Sequence, residues 1–365
     1  MQTSQATHVV VGISGGVDSA VAAALLKDQG LQVTGLFMKN WEEDDDANYC
    51  GAAEDLAVAE TVCAQLGVRL HTVNFAHEYW ERVFAVFLRE YRSGRTPNPD
   101  VLCNKEIKFR EFLDYAEHLG ADTIATGHYA RRETRGGLPA LCKGVDQEKD
   151  QSYFLYSVSP EALSKTLFPL GELTKTEVRQ RARELGLQNS ERKDSTGICF
   201  IGERRFKDFL SRYLPNEPGR IETPEGAFIG QHDGLWFYTL GQRQGLDIGG
   251  PGEAWYVSGK DIARNVLEVV QGHDHPALMC KRLRAIEPHW LTDDLPTTPL
   301  PCNAKTRYRQ DDQSCVVTQA SHDTMDIEFQ VPQRAATPGQ ALVLYHGDRV
   351  LGGGTIDQID YLIDE

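Results

Sequence analysis

The stretch with the clearest chemistry is Gly12-Ile13-Ser14-Gly15-Gly16-Val17-Asp18-Ser19, set between the apolar run Val9–Val11 and a helix-forming run that reaches Leu26. Its three glycines lack Cβ, so the backbone can turn tightly and approach a ligand closely. The N–H groups of the first helical turn then face that ligand. The helix dipole adds partial positive charge there, so an anion is the natural occupant. Ser14 and Ser19 add hydroxyl donors suited to phosphate oxygens. No lysine lies between Gly12 and Leu26, which excludes the kinase-type Gly-Lys-Ser/Thr loop, and the glycine spacing does not fit the dinucleotide fingerprint G-x-G-x-x-G. The other reactive side chains are eight cysteines, at 50, 63, 103, 142, 199, 280, 302 and 315. None forms a C-x-x-C, so the common zinc spacings are absent and no metal site is read.

The elements that must hold the loop follow from periodicity. Gln32–Lys39, Arg69–Phe75 and Asp122–Thr126 read as strands; Gly51–Leu66, His77–Tyr91 and Lys105–Leu119 read as helices. Strands alternating with helices of this length predict an α/β fold with a parallel sheet covered on both faces. Ligands bind such sheets beyond the carboxyl ends of the strands. The 12–19 loop, Met38 and Gly127-His128 all stand at strand ends and should gather on that edge. The acidic segment Trp41–Asn48 reads as a mobile loop, and the two prolines of Thr96–Asn104 read as a loop before a helix. Thr174-Lys175-Thr176-Glu177 is a capping box opening a helix that Gly186 ends. A short basic helix is expected over Arg204–Tyr213. After Pro215 the texture becomes β, with domain boundaries near 210 and 280.

Composition narrows the class. Hydrophobic content of 41% suits globular cores, and the longest apolar run, Ala20–Leu26, is too short to span a bilayer. Met1–Thr7 has neither basic residues nor an apolar stretch, so a cytoplasmic chain without a signal peptide is expected. In that reducing setting a cysteine that matters is a nucleophile or redox partner, not a structural disulfide. Net charge is −15, which taken alone argues against nucleic acid. The charge is uneven, however. Basic clusters occur at Arg89/Arg92/Arg95, Arg131/Arg132/Arg135, Arg204/Arg205/Lys207, Lys281/Arg282/Arg284 and Arg307/Arg309. Each singly reads as a solvated face, and a local basic strip can still bind RNA.

The sequence S-G-G-x-D-S resembles the loop of the PP-loop ATP pyrophosphatases, which grip the pyrophosphate of ATP and release AMP. With it stand N-P-D-V-L-C-N (98–104), T-G-H-Y (126–129), K-D-Q-S-Y-F-L (149–155) and S-T-G-I-C-F-I (195–201). Together with Gly241-Gln242-Arg243, Arg307-Tyr308 and Pro338-Gly339-Gln340, these resemble the tRNA-specific 2-thiouridylase family over essentially the full length. The resemblance implies a PP-loop catalytic domain over 1–210, a central β-rich tRNA-contacting domain over 211–280 and a C-terminal tRNA-binding β-barrel over 281–365. It implies ATP-driven adenylation of the C2 oxygen of the wobble uridine in tRNAs for Lys, Glu and Gln, with Mg²⁺ accompanying ATP and Asp18 as the readable ligand. Sulfur then arrives from a persulfide on Cys199, loaded by an upstream sulfur carrier or cysteine desulfurase. Cys103 acts as nucleophile, with Asp100 three residues earlier as acid/base. Gly12, Ile13, Ser14, Gly15, Gly16, Val17, Asp18, Ser19, Met38 and Gly127 are implied to hold ATP. Asn98, Pro99, Asp100, His128, Lys149, Asp150, Gln151, Arg307, Tyr308 and Gln340 are implied to meet the target base or tRNA. The other six cysteines read as small buried hydrophobes. Another PP-loop ligase or amidotransferase, or a non-enzymatic tRNA-binding or redox module, are the rival readings; neither accounts for the nucleotide loop and both cysteine motifs together.

Overall fold

A computed structural model describes residues 7–42, 51–193, 206–292 and 295–362. The chain divides into two compact units. The first comprises residues 1–84, 99–203 and 348–350; the second comprises 85–98, 204–347 and 351–365.

The first unit contains β1 (His8–Gly12), β2 (Gln32–Lys39), β3 (Arg69–Asn74), β4 (Thr123–Ala125), a hairpin of β5 (Ala130–Arg135) and β6 (Leu138–Lys143), and the two-residue β7 (Thr166–Leu167). Its sheet runs β3-β2-β1-β4-β7 and every pairing is parallel. Val9, Val10 and Val11 are fully buried, as a strand covered on both faces requires. The helices α1 (Val17–Asp28) and α2 (Gly51–Leu66) contribute Ala23, Leu26, Ala59 and Cys63 to the core packed on Val9 and Val11. From β1 the chain proceeds outward to β2 and β3, and β4 then pairs with the opposite edge of β1. The strand order therefore reverses between β1 and β4, which is where sheets of this kind bind ligands.

Several expectations need correction. The segment read as a loop up to Asn104 becomes helical at Pro99: the helix Pro99–Cys103 continues through a π-helical stretch, Asn104–Glu111, into Phe112–His118. Proline is acceptable at the first helical position because its missing N–H has no intrahelical partner to lose. Trp41, assigned to a mobile loop, is buried against Tyr79, Trp80 and Phe84, with ring centroids 6.1, 5.9 and 4.9 Å away. Glu42 is exposed and accepts from Asn74 Nδ2 at 2.7 Å, and the rest of that expected loop, 43–48, lies outside the described residues. The β5–β6 hairpin was not among the expected elements. Its turn is Gly136-Gly137, both at positive φ, a recognised hairpin signal. The basic cluster on it is not simply solvated: Arg131 and Arg135 pair with Glu133 and Asp348.

The second unit begins with a four-stranded sheet ordered β10-β11-β8-β9, made of β8 (Gly219–Glu222), β9 (Phe228–His232), β10 (Trp255–Asp261) and β11 (Val266–Gln271). The expected helix before it is present as Phe206–Leu210. Then come β12 (Met279–Trp290), β13 (Leu300–Lys305), β14 (Gln313–Ala320), β15 (Thr324–Arg334), β16 (Ala341–His346) and β17 (Arg349–Tyr361). They follow one another as β12-β15-β14-β13-β16-β17, and β12 also pairs with β17, which closes a six-stranded barrel around Leu283, Val317, Phe329, Leu342 and Leu344. Residues 93–98 belong to this unit. Thr96 N donates to Pro338 O at 2.9 Å, Gln340 Nε2 donates to Thr96 O at 2.8 Å, and Arg95 bonds Glu90 and Asp357.

Candidate functional site

The loop leaving β1 sits at the reversal of strand order and is built as a cradle. Gly15 takes φ +77°, and a Cβ there would lie 2.7 Å from Asp55 O, so only glycine fits. Its carbonyl accepts from Asn189 Nδ2 at 3.0 Å and Arg192 Nη1 at 3.3 Å. A trans peptide points its N–H opposite to its C=O, so this grip aims Gly16 N–H the other way, toward Ser14 Oγ at 3.4 Å. Ser19 Oγ accepts from Ser14 N at 3.2 Å and donates to Gly16 O at 3.1 Å, tying the turn to the helix. Gly16 is the N-cap of α1 and no side chain caps that end. The first-turn N–H groups are thus presented to a ligand, as anion sites at helix N-termini require.

Three neighbouring elements close on this turn. A Cβ on Gly127, which follows β4, would meet Ser19 N at 2.9 Å and Asp18 C at 3.0 Å, so the β4 end is pressed against the first turn of α1. Met38 on β2 and Phe112 lie over Gly12, at 3.5 and 3.3 Å from the position of an added Cβ. Met38, Gly127 and the 12–19 loop therefore do assemble.

The other expected residues divide by environment. Cys103 is fully buried in the helix Pro99–Cys103. Asp100 stands one helical turn earlier on the same face, near the positive end of that helix. Asn104, the next residue, donates to Phe154 O at 3.1 Å while its buried Oδ1 has no hydrogen-bond partner. His128 is buried beside Phe109 and Phe168 with Nδ1 2.8 Å from Thr126 Oγ1, and burial holds its pKa well below the usual value, so the ring is neutral. Asp150 is buried and accepts from Gly144 N, Ser152 N and Ser152 Oγ. Gln151 Oε1 accepts from Tyr129 N at 3.0 Å. These two shape the turn that carries the half-buried Lys149. Asn98, Arg307, Tyr308 and Gln340 belong to the second unit, where Gln340 holds the Thr96 carbonyl, Arg307 is exposed and Arg309 lies over the Tyr308 ring. Cys199 and Cys50 lie outside the described residues. Of the cysteines expected to be inert, Cys63, Cys142, Cys280 and Cys315 are buried and Cys302 is partly so, with its Sγ 3.6 Å from that of Cys315.

Similarity to known proteins decides the family. Residues 7–203 match the model of the tRNA methyl transferase HUP domain, 207–271 the tRNA methyl transferase PRC-barrel domain and 280–356 the aminomethyltransferase beta-barrel domain. The chain is 62% identical to the tRNA-specific 2-thiouridylase MnmA of Methylococcus capsulatus over 96% of each sequence. It is 58% identical to that of Stutzerimonas stutzeri over 99% of this chain and 97% of that one. The chain belongs to the tRNA-specific 2-thiouridylase family. A solved 4-thiouridine synthetase–RNA complex with bound ATP aligns with 56% of this chain and 49% of that one at 20% identity, with a TM-score of 0.34.

Sequence reasoning for a 2-thiouridylase missed the side chains that hold the loop from outside: Tyr129, Lys175, Asn189 and Arg192. Tyr129 Oη donates to Asp18 Oδ1 at 2.8 Å, and Lys175 Nζ bonds Asp18 Oδ1 and Oδ2 at 2.8 and 2.9 Å. Arg192 pairs with Asp55 as well as with Gly15. One signal was present. Lys175 opens a capped helix, where a cation opposes the dipole and so calls for an anion nearby. Among the described residues the metal-ligand grouping is Glu133, Cys142 and Asp348, and it carries Arg131 and Arg135. Again among the described residues, no helix is long and apolar enough to cross a membrane.

Proposed function

We propose that this protein is an ATP-dependent tRNA 2-thiouridylase acting on the wobble uridine of tRNAs for Lys, Glu and Gln in the cytoplasm. Near-full-length identity to curated 2-thiouridylases carries the reading, and the uncapped helix end at the switch point supports it. The uracil C2 oxygen attacks the α-phosphorus of ATP and pyrophosphate leaves. The adenylated oxygen is then a good leaving group. A Cys199 persulfide, loaded by an upstream carrier or desulfurase, delivers sulfur to C2 and AMP departs with the oxygen. Delivery is either direct, with the terminal sulfur bonding to C2 and Cys103 then attacking Cys199 Sγ so that the Cys199–sulfur bond breaks, 2-thiouridine is freed and the two cysteines form a disulfide, or by prior attack of Cys103 on Cys199, which forms the same disulfide and releases the sulfide that adds to C2. Asp100 serves the proton transfers. Gly12–Ser19, Met38 and Gly127 hold the nucleotide. Asn98, Pro99, Asp100 and His128 meet the target base, and Lys149 on its Asp150–Gln151 turn, with Arg307, Tyr308 and Gln340, meets the tRNA. Arg and Lys would position the backbone, while the loops read the splayed base.

Mg²⁺ does not fit Asp18 as it stands. Mg²⁺ sites use one or two carboxylates with phosphates and waters, whereas both oxygens of Asp18 carry the Lys175 ammonium. The test is turnover of α-labelled ATP with and without unmodified tRNA. AMP that depends on tRNA, with 2-thiouridine formed only when a sulfur donor is added and lost in Cys103→Ser, is expected. ADP, AMP indifferent to tRNA, or full thiolation by Cys103→Ser would overturn the reading.

A further inference from the structure

The phosphate loop has no lysine of its own, yet Lys175 reaches its first helical turn from elsewhere in the chain. We propose that Lys175 binds the phosphates of the nucleotide that leave as pyrophosphate, and that Asp18 is the positioning residue that aims it; this rests on the ATP-dependent reading above.

Lys175 is the first residue of the helix Lys175–Glu184, whose N-terminus repels a cation. The fold compensates that placement twice. Asp146 Oδ2 accepts from Lys175 N at 2.8 Å, supplying the anion the helix end favours. Asp18 holds the ammonium through both oxygens, and Tyr129 fixes Asp18 with a third bond while its ring lies 5.8 Å from Nζ. Lys175 is only 12% exposed, so its charge is sequestered where Asp18 lies and not spread over the surface. Asp18 itself occupies the first turn of α1, the end offered to an anion. A bare carboxylate there would repel a polyphosphate. With Lys175 attached, the pair is neutral, and an ammonium with three protons can keep one bond to Asp18 while turning others to phosphate oxygens. A helix packed against α1, but more than 150 residues later in the chain, thus supplies the cation that kinase-type loops carry internally.

The experiment is equilibrium binding to the full chain without tRNA or sulfur donor, using ATP, AMP and inorganic pyrophosphate, for the wild type and for Lys175→Gln and Lys175→Arg. Losing a charge-assisted contact should weaken ATP and pyrophosphate about 10- to 100-fold in Lys175→Gln. AMP should change by less than about threefold, and Lys175→Arg should stay within about fivefold of wild type for all three. Equal loss for ATP and AMP would mean that Lys175 only props up the loop, and unchanged ATP affinity would mean that it makes no phosphate contact; either overturns the proposal. Should Lys175→Gln unfold, Lys175→Arg decides: loss of AMP binding in the folded Arg variant also overturns it. A wild type that binds pyrophosphate but no adenine nucleotide would sink the ATP reading and leave this inference to the pyrophosphate arm; a wild type that binds none of the three sinks both.

Discussion

Gly127→Ala tests the close approach that builds the nucleotide site. The added methyl would sit 2.9 Å from Ser19 N and 3.0 Å from Asp18 C, against 3.4 Å for ordinary contact, so the β4 end or the first turn of α1 must yield by about half an ångström. Both are backbone inside a packed sheet–helix layer, so no flexible side chain can absorb the change. Overpacking of this kind costs about 1–3 kcal/mol, or roughly 2–10 °C in Tm for a unit of this size. The shift falls on the N–H groups offered to phosphate, so ATP affinity should fall about 10- to 100-fold. Gly120→Ala is the internal control, in the turn that precedes the same strand. Gly120 has φ +74° and nothing within 4 Å of its would-be Cβ. It should lose about 1–2 kcal/mol to backbone strain and keep its ATP affinity. Differential scanning calorimetry and nucleotide titration of both variants read the comparison. Wild-type ATP affinity in Gly127→Ala, or an equal loss in both variants, would refute the reasoning.

Asp150→Ala removes the acceptor for Gly144 N, Ser152 N and Ser152 Oγ in a buried turn and should cost about 2–4 kcal/mol, read as a lower Tm. Lys260 lines a cavity of about 400 Å³ in the second unit, donates to Gly94 O at 3.1 Å, and is held by burial at a pKa of about 8. Its folded pKa lies below the unfolded value, so the unfolded chain takes up the proton first as pH falls from about 10.5. Stability from this group is lost progressively down to about pH 8 and stays lost below it. Lys260→Met should therefore stabilise the chain by up to about 3 kcal/mol at pH 7 and flatten the dependence between pH 8 and 10.5 in denaturant melts.

What the sequence made legible was local. The glycine loop, the strand ends at Met38 and Gly127, and the capping box at Thr174 all rest on short-range rules, and the structure forms each of them. The helix start was misjudged because Pro99 reads both as a breaker and as a first helical residue, and only packing decides between them. Trp41 was misread because acidic neighbours masked an aromatic that has a pocket among Tyr79, Trp80 and Phe84. Lys175, Tyr129 and Arg192 were invisible as loop partners because their contacts with residues 15–18 are fixed by topology, over separations that no periodicity spans. Asp150 and His128 show the converse. Motif membership marked them but did not tell their settings: Asp150 frames a buried turn, and His128 is a neutral ring in an apolar surround.

The closing pair of the barrel has a further implication. Cys280 stands opposite Tyr361, so the strand that opens the barrel and the strand that ends it are hydrogen-bonded neighbours. Among the described residues, each strand of the ring is paired on both sides, which leaves no bare edge there to recruit a foreign chain, a common route to aggregation. The ring is also topologically indifferent to where its chain begins. Joining the ends near 280 and 361 with a short linker and opening the turn at Gly347 would give a permuted barrel with the same six neighbours in the same order.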